Sequence, residues 1–430
     1  MAKLTTTLCL ILALVGMPSA FAQSDSVEST DAAASDDASE SATTTQQDDE
    51  PTLDVNVGGS ISFNTLFRNY GADTPFEEGA DRVLSDGAFT FDTFRINANG
   101  SYGDLTFSTE YAIYPDAFGG LFIHHGWVGY AFSDAAEVQV GVSQSPFGIQ
   151  PFASSSWFFN NTYYVGLEDQ YNSGVKALFS PGNWDIQTAY YMNPAGTDFF
   201  GTTTADRYSY DVVPGADNLR NTVQEHQGNL KIARTFVHGD DASTKVGVSG
   251  QIGQLTNQGN QDFETPEDPA AGNTDWHGAY AVHVQQQLGG FEAKLQFAQQ
   301  NMNPPVADGE STDFVTMGAY GGTYRVASDI DVYSTSLSYT IPVDIGPISA
   351  IAPHYDYSQV VKDVDGWNDN VSHILGFTTA AGPLFAYTDL IISKGHPFNQ
   401  PFDETFGGVM AQQADNEWRT AFNINIGLYF

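Results

Sequence analysis

The chain has 430 residues, 41% of them hydrophobic and 13% aromatic, with 42 glycines, 21 tyrosines and 30 phenylalanines. Its 52 acidic residues against 15 basic give a formal net charge of −37, which excludes nucleic-acid binding by phosphate neutralisation. No 18-residue apolar run follows residue 22, which excludes helical membrane spans, and the single cysteine, Cys9, leaves no disulfide or thiolate metal site beyond the first apolar stretch.

Residues 1–22 have the pattern of a secretory signal peptide. Lys3 supplies the positive start, Leu8 to Val15 an apolar stretch too short to span a bilayer, and Ala20-Phe21-Ala22 the small-x-small cleavage site. Residues 23–50 then hold nine acids, no base, no aromatic and one β-branched aliphatic, Val27. Such a segment cannot bury enough apolar surface to fold, so 23–51 is expected to be an acidic, disordered periplasmic spacer. Residues 52–430 read as one domain.

From Leu53 onward, short alternating runs rich in aromatics and glycine predict an all-β domain. In 105–113 the outward set is Leu105, Phe107, Tyr111 and Ile113, with Thr106, Ser108 and Glu110 inward. In 276–288 Trp276, Tyr280, Val282 and Val284 face out, against His277, His283, Gln285 and Gln287. In 291–299 Phe291, Ala293, Leu295 and Phe297 oppose Glu292, Lys294 and Gln296. At the C-terminus Trp418, Thr420, Phe422, Ile424, Ile426, Leu428 and Phe430 share one parity, and Arg419, Ala421, Asn423, Asn425, Gly427 and Tyr429 the other. A soluble edge strand or a β-sandwich also alternates, but a flat apolar edge invites aggregation. Lipid outside and water inside account for the pattern directly.

The runs are joined by two kinds of connection. Short turns fall near Asn99-Gly100 to Asp104, Ser133-Asp134, Pro181-Gly182, Gly239-Asp240, Gly289-Gly290, Pro342 to Pro347 and Ala381-Gly382. Long ones cover roughly 69–87, 115–120, 144–170, 194–222, 256–275, 301–328, 360–369 and 395–415. Their alternation predicts a transmembrane antiparallel β-barrel of about sixteen strands, with long loops outside and short turns on the periplasmic side. Residues 314–326 look like a further strand, but an odd count breaks the rule for single-chain bacterial barrels, so they belong to an extended loop. Eighteen strands, with 314–326 in an extra hairpin, is the alternative.

The third long connection reads QSPFGIQPFASSSWFFNNTYYVGLEDQ. It carries seven aromatics: Phe147, Phe152, Trp157, Phe158, Phe159, Tyr163 and Tyr164. Folding inward against the wall would bury them and narrow a pore; packing over the mouth or against a neighbouring subunit is the other option. The constriction candidates are Pro146, Phe147, Gly148, Trp157, Phe158, Tyr163 and Tyr164.

Gly126-Trp127-Val128-Gly129-Tyr130-Ala131-Phe132, then Val138-Gln139-Val140-Gly141, then Ser145-Pro146-Phe147-Gly148 resembles the outer-membrane porins of the phosphate-selective O and P family. The resemblance is clear over about 126–180. It implies a homotrimeric, sixteen-stranded pore with an inward third loop. The family's better-known members line the channel with arginines and lysines; this chain has 15 bases in all, so its motifs carry architecture and not substrate. An aromatic C-terminus, as in other outer-membrane barrels, implies that Phe430 is an assembly signal read by the barrel-assembly machinery.

Parity places Arg95, Lys176, Lys231, Lys245, Lys294 and Arg419 on the inner wall as pore-lining candidates, with Glu110, Asp185, Glu292 and Asp389 as inward acids. Other acids lie in loops: Glu77, Glu78, Asp81, Glu264, Glu267 and Asp268. Those clusters match no calcium-loop spacing, so a solvated surface outweighs a cation or lipopolysaccharide site. No G-x-S-x-G elbow, P-loop, dinucleotide fingerprint or helical histidine pair is present, so no catalytic, cofactor or metal residues are assigned. The expected function is an outer-membrane porin for passive diffusion of ions and small hydrophilic solutes, with a phosphate-like anion bias to be tested. A surface-binding or adhesion barrel is the alternative.

Overall fold

The computed structural model describes residues 51–68, 88–198, 203–215, 221–259, 268–400 and 406–430. Residues 1–50, with the expected signal peptide and most of the expected acidic spacer, residues 69–87 with Glu77, Glu78 and Asp81, and the acids Glu264 and Glu267 lie outside the described residues.

The strands in chain order are β1 (Leu53–Arg68), β2 (Phe89–Tyr102), β3 (Leu105–Ile113), β4 (Leu121–Ser133), β5 (Ala136–Gln144), β6 (Tyr171–Phe179), β7 (Trp184–Pro194) and β8 (Asp211–Val212). They continue as β9 (Thr222–Gly239), β10 (Ala242–Asn257), β11 (Thr274–Leu288), β12 (Phe291–Met302), β13 (Phe314–Ala319), β14 (Gly322–Ala327), β15 (Asp329–Tyr339) and β16 (Ile341–Ile345). The last four are β17 (Ile348–Lys362), β18 (Asn370–Ala381), β19 (Leu384–Lys394) and β20 (Arg419–Tyr429).

β15 and β16 both pair with β17 and form one barrel strand interrupted at Thr340. With that join the main sheet has sixteen positions, each antiparallel to its neighbours. It closes where β1 pairs with β20 from Ser60↔Tyr429 to Arg68↔Ala421. Phe430 completes the seam: Gly59 N–H donates to its carbonyl at 2.7 Å, and its own N–H donates to the Gly59 carbonyl at 2.9 Å. β13 and β14 form a hairpin inside the sixth long loop and join β8, from the fourth, in a separate three-stranded sheet. Residues 314–326 are therefore a loop insert, and the eighteen-strand alternative does not hold.

The two faces follow the alternation. On β20 Phe422, Ile426 and Leu428 are exposed, while Ala421, Asn423, Asn425 and Gly427 are buried. On β11 Trp276 and Tyr280 are exposed, and His277, Ala279, Ala281 and His283 are buried. The exposed apolar band faces lipid, so the chain crosses a membrane with strands, in the manner of Gram-negative outer-membrane barrels. His283 fits on the inner face because β10 offers Gly247 opposite it; a Cβ there would lie 2.3 Å from the His283 ring nitrogen.

The outer face tolerates charge poorly. Val282 pairs with Val248 and Phe297 in the lipid-facing band. Val282→Arg should destabilise the folded barrel in liposomes by about 2–4 kcal/mol, as for charge near a bilayer midplane. Gln287→Arg on the inner face, opposite Glu292, should change it far less. Urea unfolding in lipid vesicles measures both.

Candidate channel constriction

The third long loop leaves β5 at Gln144 and returns to β6 at Tyr171. Its ends are tied together: Ser145 N–H donates to the Gln170 carbonyl at 2.7 Å, and the Asn172 side-chain amide to Ser145 Oγ at 2.9 Å. Between them the chain crosses the lumen along the inner wall. Gly148 N–H donates to Ser249 Oγ on β10 at 2.9 Å and Ile149 N–H to Gln296 Oε1 on β12 at 2.7 Å. Further on, Ser155 Oγ meets Ser336 Oγ on β15 at 2.7 Å. Asp356 of β17 accepts the N–H groups of Ser155 at 3.1 Å and Ser156 at 2.8 Å. Asp389 of β19 accepts the Trp157 N–H at 3.0 Å and faces His354 Nε2 at 2.8 Å. Asn161 N–H, in the helical turn Asn161–Tyr164, donates to Ser358 Oγ at 2.9 Å.

Apolar packing completes the attachment. Phe147, Tyr163, Tyr164, Val165 and Leu167 join small apolar residues on the inner wall, among them Ala279, Ala281, Ala298, Val332 and Val360. Phe158 packs with Ile374, Ile391 and Ala421 near the seam. Phe159 sits in the left-handed region at φ 56°, a conformation costly for a bulky residue, and its ring is fixed 4.6 Å from Tyr163 and 5.2 Å from Phe152.

The predicted constriction residues thus divide. Pro146, Phe147, Gly148, Phe158, Tyr163 and Tyr164 are buried and hold the loop to the wall; Trp157 is half-exposed. Gln150, Phe152, Ser155 and Phe159 are also half-exposed, and Pro151 is exposed. These side chains were not among the sequence candidates. Aromatic density marked the loop, but the pattern contains nothing that separates its wall side from its open side.

A second layer covers this loop. Tyr320 at the β13–β14 turn meets the Tyr163 hydroxyl, and Tyr324 OH donates to the Tyr164 carbonyl at 2.6 Å. Met410 of the eighth loop forms a parallel bridge to Val326. Arg207 and Asp211, 1% and 0% exposed, form an ion pair that also engages Gln170 through Asp211. Burial raises the Asp211 carboxyl to about 6 despite the Arg207 charge beside it. Glu168 accepts hydrogen bonds from Thr162 Oγ1 and the Ala153 N–H, yet burial outweighs them and raises its carboxyl to about 7.

All six predicted wall bases have partners. Arg95 donates to Glu110 at 3.1 Å and to Tyr114 OH at 3.0 Å, with its guanidinium 5.3 Å from the Tyr208 ring. Lys294 lies 3.5 Å from Glu292, and Arg419 is 2.6 Å from Asp415. Lys176 donates to the Gln144 carbonyl at 3.1 Å. Lys231 and Lys245 share Asp185 at 3.6 and 2.8 Å, and Lys231 also donates to Gln150 Oε1 at 2.7 Å. On this stretch of wall β6, β9 and β10 each contribute a lysine, against Asp185 on β7 and Glu137 on β5, an excess of one base beside the third loop.

Sequence reasoning missed three inward acids. Glu137 accepts from Thr106 Oγ1 at 2.5 Å, and Asp356 holds the loop. Asp92 accepts from Ser62 at 2.8 Å and Asn425 at 2.9 Å. A register shift at Ser62/Phe63 leaves Asp92 unpaired opposite β1, so simple alternation misassigns it. Among the described residues no group of three or more His, Cys, Asp or Glu side chains is placed to hold a metal ion.

No family model matches the sequence, and no curated protein matches it either. Solved structures do. One is OmpT of Vibrio cholerae in a trimer form, with TM-score 0.53, 14% identity and coverage of 89% of this chain and 100% of that one. Another is an anion-selective porin from Comamonas acidovorans, with TM-score 0.52, 12% identity and coverage of 88% and 100%. A third is Salmonella typhi OmpF in complex with daunomycin, at TM-score 0.51, 10% identity and coverage of 87% and 97%. At these identities the likeness establishes the fold.

The loop anchors are separately testable. Asp356→Ala leaves two loop amides without their acceptor, a loss of about 1–3 kcal/mol for each one that stays buried. The expected result is a noisier single-channel current and faster proteolysis between Phe152 and Phe159, with the barrel intact on gels. Glu168 binds its proton more tightly in the folded loop than when free, so its contribution falls as pH rises from the ordinary carboxylate range through about 7. Loop protection should therefore be greater at pH 5 than at pH 8, and Glu168→Gln should flatten that part of the profile.

Proposed function

We propose that this chain is an outer-membrane porin, a water-filled channel through which ions and small hydrophilic solutes diffuse passively. The observation that carries the reading is the third loop, bound along the lumen wall from Ser249 to Asp389 and so narrowing the space inside the barrel. A barrel of sixteen strands is wide enough for an aqueous lumen, and a loop laid across it sets a size limit. The anion-selective porin among the structural neighbours supports a channel with a weak anion preference. The excess of lysine over Asp185 and Glu137 is its source on the wall, and the inward bases Arg95, Lys294 and Arg419, offset by Glu110, Glu292 and Asp415, contribute less. No enzyme activity, cofactor or metal is part of this reading.

The trimeric neighbour supports a homotrimer as the working assembly. Lipopolysaccharide around the long loops and the barrel-assembly machinery are the further partners. Residues 1–22 act as the export signal and 23–51 as a spacer. Phe430, whose backbone completes the seam, acts as the assembly signal.

Liposome swelling with sugars of graded size tests the channel. Flux that falls steeply with solute size supports it, whereas no flux from correctly folded protein favours a surface-binding barrel, whose loops are the working part. Reversal potentials across a salt gradient test the bias: Lys176→Glu and Lys294→Glu should each lower the anion-to-cation permeability ratio several-fold, and a strong cation preference unchanged by either sinks the anion reading. Deleting Phe430 should cut membrane yield of folded barrel far more than the conductance of the molecules that do assemble.

A further inference from the structure

The outer wall carries one feature that diffusion through the lumen does not use. On the short-turn side of β7, β9, β10 and β11 the outward positions are mostly apolar or aromatic, among them Trp184, Ile232, Phe236, Val246, Val248 and Val284, with Thr244 and Gln286 polar and hydrogen-bonded to each other. Arg234 of β9 is the one charge among them. Its register partners, Trp184 on one side and Val246 on the other, are both exposed outward, whereas the adjacent Ala233 is buried on the lumen side.

The Arg234 guanidinium lies 5.1 Å from the Trp184 ring centroid and 5.0 Å from that of Phe236. Two aromatic faces therefore fix the plane of a cation on the lipid-facing surface. Among the described residues it has no hydrogen-bond or ion-pair partner, so the N–H fork is open. Arg234 stands level with Trp184, the first residue of β7, and five residues before Gly239, the last of β9. That is the depth of the aromatic girdle, where hydrocarbon gives way to headgroups at the short-turn, periplasmic end. A guanidinium is weakly hydrated and matches phosphate oxygens in a two-pronged geometry, and headgroup phosphates are the abundant acceptors at that depth.

We infer that Arg234, held between Trp184 and Phe236, binds the phosphate of a phospholipid headgroup in the leaflet at the periplasmic end. The inference rests on the membrane-spanning barrel and is independent of what the lumen conducts. An anionic phospholipid is favoured over a zwitterionic one, because Arg234 is unneutralised on this face.

The full-length protein, extracted in mild detergent, is compared with Arg234→Gln, Arg234→Lys and Trp184→Leu by native mass spectrometry after addition of phosphatidylglycerol. Heat-resistant gel mobility and unchanged conductance show that each variant folds. The wild type should retain phosphatidylglycerol, Arg234→Gln should lose it at least tenfold more readily, and Arg234→Lys and Trp184→Leu should fall between. Equal retention by wild type and Arg234→Gln overturns the site. So does an efficient disulfide between subunits at Arg234→Cys, which places the residue in a protein interface, and so does equal protection against heat by inorganic phosphate alone, which removes the lipid. Loss of conductance with lipid retention intact would count against the porin reading and leave this site standing.

Discussion

Every strand that crosses hydrocarbon must find hydrogen-bond partners for its backbone within the protein, since lipid offers none. A sheet meets that demand only by closing, and the β1–β20 seam is where this one does so. The rest of the structure depends on that closure. It sends alternate side chains to lipid and to the interior, which is why a chain with a formal charge of −37 can present a belt of Phe, Leu, Val and Ile outside. It also creates an interior that must be filled or hydrated, and the long loops divide that task.

The third loop is held by two kinds of force that act at different places. Along β17 and β19, carboxylates accept backbone amides, which fixes the position of the chain from Ser155 to Trp157. Around the helical turn, aromatic rings pack on the small inner residues of β11, β12, β15 and β17. Hydrogen bonds to charged groups are directional, and apolar burial is not, so the first sets register and the second supplies most of the attraction. The β8–β13–β14 sheet then lies on the aromatic side, which shields the Arg207–Asp211 pair from water and makes its geometry matter more. A buried pair of this kind adds little net stability, yet removing one member would leave a charge without compensation in the middle of the loop layer.

How much of this is legible in sequence follows from what is periodic. The outward set at Phe422, Ile426 and Leu428 has period two and needs only alternation to be recognised. The loop and turn alternation is visible in glycine, proline and asparagine content, and the even-strand rule is enough to keep Phe314–Ala327 out of the barrel. Asp92 is not legible, because a bulge adds one residue and breaks the period at that point. Nor is the role of Asp356 legible: its inward parity can be read, but its partners are backbone amides about 200 residues away, and backbone groups are the same in every residue. Within the third loop, composition signals burial for Phe147, Phe158, Tyr163 and Tyr164 without saying against what.

The inner charges show why direction and availability are separate properties. Keeping Lys176, Lys231, Lys245 and Lys294 away from lipid needs only parity, and parity alone would make them a positive track. Inside, each finds an oxygen: a loop carbonyl, a shared aspartate or a neighbouring glutamate. A base paired one-to-one leaves little net field, while three lysines around Asp185 and Glu137 leave an excess of one. Field in a narrow lumen with low-dielectric walls is set by such local imbalance more than by the charge of the whole chain. The strongly acidic total of the chain is therefore a poor guide to the wall, where the balance beside the third loop is slightly basic.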